Sequence, residues 1–203
     1  MIDADIIQHC ADPGLRPAIV EKFIEQAGSA DPIAVTIRSG NRVVLVPKPA
    51  TADEALALIR EHVGRNIVRV GITQFPAGLG IHDASQVSTD LIDACENVRM
   101  GTALFAKVYR IVTRWYGNAV EEAFDDAILA WQTGYFEGVA VFRADDPGDI
   151  TTELPGANEK ESTNMSSDTQ SEKHESDSGA VISDPNKAGI RIDLSDIGRK
   201  TDL

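Results

Sequence analysis

Where the aromatic residues stop decides how much of this chain can fold. Both Trp, all three Tyr and all six Phe lie at or before Phe142, and none follows. Rings bury the most apolar area per side chain, so one hydrophobic core is expected from residues 1–144, a length that can enclose a real interior. Residues 145–203 are dominated by Ser, Asp, Glu, Asn, Pro and Gly. Such a segment buries too little to offset the entropy of ordering, and it is read as a disordered acidic tail. Within it, Gly189 to Ile197 alternates apolar and polar residues. Two readings stand for that stretch: tail that happens to alternate, or a short peptide that adds a strand to a partner.

The formal net charge of −13 argues against direct nucleic-acid binding, because phosphate contacts need a basic surface. No apolar run reaches the length of a membrane span, and no basic-then-apolar region opens the chain. The default expectation is a cytoplasmic protein, or a periplasmic one if it is exported or if the start is mis-annotated. The four His are scattered and no CxxC occurs, so neither metal nor cofactor is indicated. Taken alone, Cys10 and Cys95 read as two unrelated buried thiols.

The core region reads as mainly α, with a small β-hairpin. Asp3 to Cys10 forms a short helix. A second starts at Pro17, a favoured first-turn residue, and ends at Gly28. After Asp31-Pro32, alternation through Ile33, Val35 and Ile37, the turn Ser39-Gly40-Asn41 and the return Val43 to Val46 predict the hairpin. Thr51 and Glu54 form a capping box for a helix that stops near Gly64. Asp93 to Glu96 is a second box-like start. The helix behind it carries the stripe Leu104, Val108, Ile111, Val112 and Trp115. Gly117 ends it, and Asn118 is expected to cap the next, whose inner face is Phe124, Ala127, Ile128 and Trp131. Between the hairpin and the long helix, Val70 to Ile81 ends an apolar run on Gln74 and breaks into Pro and Gly. It is expected to lie between two helical layers and to line a cleft.

The order of these pieces resembles the lytic transglycosylase domain of VirB-type secretion systems, a lysozyme-like fold. Gly71-Ile-Thr-Gln74, Cys95-Glu-Asn97 with Gly101, Ala130-Trp-Gln-Thr-Gly134 and Asp31-Pro-Ile-Ala34 are similar to that family's motifs, over residues 3–142. More closely, the chain resembles the TraH proteins encoded with conjugal-transfer genes on transmissible plasmids of soil bacteria. The carrying residues are Met1 to Ala4, Ile7 to Pro13, Ser39 to Arg42, Val46 to Pro49 and Thr73 to Gly78. The first resemblance implies Gln74, Asn97, Trp131 and Gln132 as cleft-lining, glycan-binding residues, and a Cys10–Cys95 disulfide. The second implies a role in conjugation and no established activity.

A lytic transglycosylase needs one carboxylic acid with a raised pKa to protonate the glycosidic oxygen. In the family it lies five residues before the Pro of the Asp-Pro motif, and here that position is Ala27. Glu25 is the nearest acid, about 200° away around the helix. The expectation is a transglycosylase-like domain without catalysis, binding components of a conjugation or type IV secretion apparatus and possibly peptidoglycan. Two alternatives stay open: an active peptidoglycan lytic transglycosylase that uses Glu25 or another acid, and a cytoplasmic adaptor or regulator acting through its tail.

Overall fold

The computed structural model describes residues 4–81 and 83–148. Of the stretch read as a tail, residues 145–148 are described, with Asp146 paired to Arg110, while 149–203, including the strand-like segment 189–197, lie outside the described residues. Among them are five α-helices and a small amount of sheet, the mainly α class expected from the sequence.

Helices α1 (Ala4–Cys10), α2 (Pro17–Ala27), α4 (Ala94–Tyr116) and α5 (Glu121–Thr133) build one core. Its centre is aromatic. Phe23 of α2 stacks on Phe105 of α4 with ring centroids 4.0 Å apart, and Trp131 of α5 meets both rings edge-on. The inner face of α4 is rotated from the expected stripe. Val98, Phe105, Val108, Tyr109 and Val112 are buried, whereas Leu104 and Ile111 lie on the flank and Trp115 is 61% exposed. Periodicity locates an apolar face only when a helix packs on one side. Helix α4 packs against both α1 and α5, so the rings of Phe105 and Tyr109 set its interior. Trp115 instead leans on Tyr116 and Phe136.

The expected hairpin is part of a larger sheet. Strands β1 (Val35–Ser39), β2 (Arg42–Val44), β3 (Ile67–Val70) and β4 (Phe75–Pro76) pair antiparallel in the order β2-β1-β3-β4. Ser39 pairs with Arg42 across a two-residue turn whose Gly40 has φ 57°. The return strand ends at Val44, sooner than expected, and Leu45 is left 93% exposed. One sheet face packs Ile37, Val68 and Val70 against Leu56 and Ile59 of α3 (Ala52–His62). A second small hairpin, β5 (Tyr135–Phe136) and β6 (Val139–Ala140), follows α5.

Caps define the helix ends, with two departures from expectation. At α3, Thr51 Oγ1 accepts from the Glu54 amide and the Glu54 carboxylate reaches back to the Ala50 amide. At α4, Asp93 accepts from the Glu96 amide, but Glu96 pairs with Arg99 instead of reaching back. Asn118 does not cap α5. The link after Gly117 turns on itself through a Val120-to-Asn118 bond, and the helix starts behind Val120 with no side-chain cap.

Candidate functional site

The stretch from Val70 to Ile81 occupies the seam between the helical core and the sheet core, not a gap between two helical layers. Val70 belongs to the sheet core, Ile72 to the helical core, and Phe75 packs against both. Residues Gly71 to Gln74 make a turn held from three sides. From α2, Gly28 approaches so closely that a Cβ there would lie 2.4 Å from the Ile72 carbonyl oxygen, and the Ser29 amide donates to that oxygen at 2.8 Å. Gly28 is in extended backbone, so it is the close approach that calls for glycine there.

From α4, Asn97 grips the turn. Its Oδ1 accepts from the Thr73 amide and the Thr73 hydroxyl, both at 2.9 Å. Its Nδ2 donates to the carbonyls of Val70 and Leu91 at 3.0 and 2.8 Å. A primary amide has two donors and two acceptor sites, and all four are used. Gly101, one turn further along α4, leaves room for the Thr73 side chain, which a Cβ would meet at 2.1 Å. Asn97 is fully buried and lines no cleft, because its bonding capacity is spent inside the protein.

From α5, Trp131 donates its indole N–H to the Thr73 carbonyl at 3.1 Å. The ring is buried among Phe23, Phe105 and Phe142, so it too presents no face to a ligand. Gln74 and Gln132 do reach the surface. Gln74 sits at φ 52°, in the left-handed region that costs a non-glycine residue about 1 kcal/mol or more, with its side-chain amide donating to the Gly71 carbonyl. Gln132 is exposed and bonds the Gln26 carbonyl at 3.4 Å.

Arg69 draws these pieces together. It is a single charge between Val68 and Val70, and the sequence reading passed over it. Its guanidinium donates to the carbonyls of Trp131 and Gln132 at the C-terminal end of α5, and to that of Gln74. Terminal helix carbonyls lack intrahelical partners and carry partial negative charge, which suits a cation. The rings of Trp131 and Phe142 lie 5.6 and 5.2 Å from its central carbon. Burial first, and the neighbouring charge of Arg38 second, lower its pKa to about 10, so it remains charged at neutral pH. The strand pattern held a signal: a lone Arg within an apolar strand must find a special partner.

The chain around Gln26, Gln74 and Gln132 thus converges on one junction, tied by Arg69. None of the described residues drawn together there is a carboxylic acid. Ala27 stands at the end of α2, half-buried against the helical core. Glu25 is exposed and lines a groove of about 670 Å³ with Ala4, Ile7, Glu21, Ile24 and Ser29, between α1 and α2. Cys10 and Cys95 are joined in a disulfide with their Cα atoms 5.2 Å apart, tying the end of α1 to the first turn of α4 two residues before Asn97. Among the described residues no group of His, Cys, Asp and Glu could hold a metal ion, and no helix is long and apolar enough to cross a membrane.

These features define a small disulfide-braced helical domain with a four-stranded antiparallel sheet and a clamped turn at the seam. The TraH_2 family model matches residues 1–199. The "Uncharacterized protein y4dP" of Sinorhizobium fredii is 49% identical over 207 residues, covering 98% of this chain and 99% of that protein. No solved structure matches. The chain belongs to the TraH family of conjugal-transfer proteins.

Proposed function

We propose that this TraH protein is an accessory component of conjugal transfer whose domain, residues 1–144, is a transglycosylase-like module that binds glycan without cleaving it. The acidic segment 145–203 serves partners within the conjugation or type IV secretion machinery. One observation carries the non-catalytic part. The junction of α2, the Gly71–Gln74 turn and α5 offers the amides of Gln74 and Gln132 where glycosidic cleavage needs a raised-pKa carboxyl. Amide side chains hold sugar hydroxyls well but cannot protonate a leaving oxygen. The Cys10–Cys95 bridge supports work outside the cytoplasm, because disulfides persist where the surroundings are oxidising.

The groove beside Glu25 favours one other reading, an active enzyme, because the apolar Ile7 and Ile24 are its neighbours there. Assay of the full chain on purified peptidoglycan separates the two. The expected outcome is retention of the protein on the sacculus with no soluble muropeptide released. Release that disappears in Glu25→Gln would overturn the non-catalytic reading. Absence of both retention and release would overturn glycan binding itself.

A further inference from the structure

Arg69 is not the only guanidinium on its side of the sheet. Strand register pairs Thr36 with Arg69 and Arg38 with both Ile67 and Val43, and directly paired residues share a face. Arg38 and Arg69 therefore stand diagonally adjacent on the face away from α3. They are close enough that the charge of Arg38 lowers the proton affinity of Arg69. Like charges this near each other on adjacent strands are unfavourable unless something anionic sits between or beside them. The chain supplies nothing of the kind among the described residues. Arg69 spends its bonds on carbonyls, and among the described residues no ion pair involves Arg38. The Nε of Arg38 is shut off from solvent and has no acceptor. A carboxylate from solution would therefore meet the terminal amino groups of the guanidinium, the side of the fork that this shielding does not close, and not Nε.

The surroundings of Arg38 narrow the ligand. Its cross-strand neighbours are both apolar and open, Val43 at 60% and Ile67 at 48% exposure. A planar guanidinium bounded by apolar side chains favours a planar, bidentate oxyanion, and the low local polarity strengthens the pair. Along the same face, Arg69 links the strand pair that carries Arg38 to the junction through its bonds to the Gln74 and Gln132 carbonyls.

We propose that Arg38, with Arg69 behind it, is a carboxylate-binding site on the sheet face away from α3, and that it selects glycan strands bearing free carboxylates. This rests on the glycan-binding reading above, and three ligands separate the two. Titrations of the full chain would use a neutral N-acetylglucosamine tetramer, a peptidoglycan disaccharide-peptide with free carboxylates, and the same fragment with those carboxylates amidated. In the wild type, amidation is expected to weaken binding by about tenfold, in keeping with a charge-assisted bidentate contact. In Arg38→Gln the free and amidated fragments should bind within about twofold of each other, with the neutral tetramer bound as in the wild type. A salt titration of the wild type gives the same answer without a variant: affinity for the free acid should fall as ionic strength rises, and affinity for the amide should not. Equal binding of acid and amide by the wild type would overturn the carboxylate site alone. No binding of the tetramer or of either fragment would overturn it together with the glycan reading.

Discussion

The Gly71–Gln74 turn and the end of α2 face the same seam, yet they are built to different standards. The turn is over-determined. Asn97 uses every hydrogen-bonding site it has, Thr73 is bonded through its amide, hydroxyl and carbonyl, and Gly28 and Gly101 are pressed against it. The last turn of α2 is plain by comparison: Glu25 and Gln26 are exposed, and Ala27 merely packs. The difference bears on how motif likeness is read. Gly71, Asn97 and Gly101 have structural reasons that need no substrate, so these positions are accounted for by the build of the turn alone.

That contrast can be broken by removing what holds the turn. The largest loss should follow Cys10→Ser with Cys95→Ser. Opening a closure of 85 residues costs on the order of 4–5 kcal/mol in the chain-entropy model, read as a lower urea midpoint under oxidising conditions. A double variant that unfolds at the wild-type midpoint would mean that α1 is not anchored through this bond. Next comes Asn97→Ala, which strands the Thr73 amide and the carbonyls of Val70 and Leu91 in the interior. About 3–5 kcal/mol is expected for so many orphaned buried groups. A loss below about 1 kcal/mol would show that the turn is not clamped as described.

The contrast is sharpened by a variant of opposite sign. Gln74 holds φ 52°, so Gln74→Gly should be neutral or stabilising by up to about 1 kcal/mol, while removing one of the two amides at the junction. Calorimetric melting and sacculus retention measured side by side are then expected to move apart, with stability held and retention reduced. If both fall together, the Gln74 side chain is a structural part of the turn and not a surface contact.

The helices were legible in the residues because their signals are local. Pro17 at a first turn, Thr51 with Glu54, Asp93 with Glu96 and glycines after the last turns each act over three or four positions. The hairpin at Gly40-Asn41 was legible for the same reason. Where the likeness to known motifs pointed at Gln74, Asn97, Trp131 and Gln132, it found residues that the structure does gather around one turn, but it could not tell a ligand-facing amide from a buried clamp. Arg69 and Arg38 were missed because their meaning lies in strand pairing across about thirty residues, which no local pattern records.

By itself, then, the sequence determined which segments become helices, where they end, and that no acid stands at residue 27. These follow from dihedral preference, capping and covalent order. Tertiary structure decided which face of α4 is inside, that β3 joins the hairpin in a four-stranded sheet, and that Asn97 turns inward while Gln74 turns out. Those outcomes depend on contacts between distant residues, where burial and hydrogen-bond saturation are settled only once every neighbour is in place.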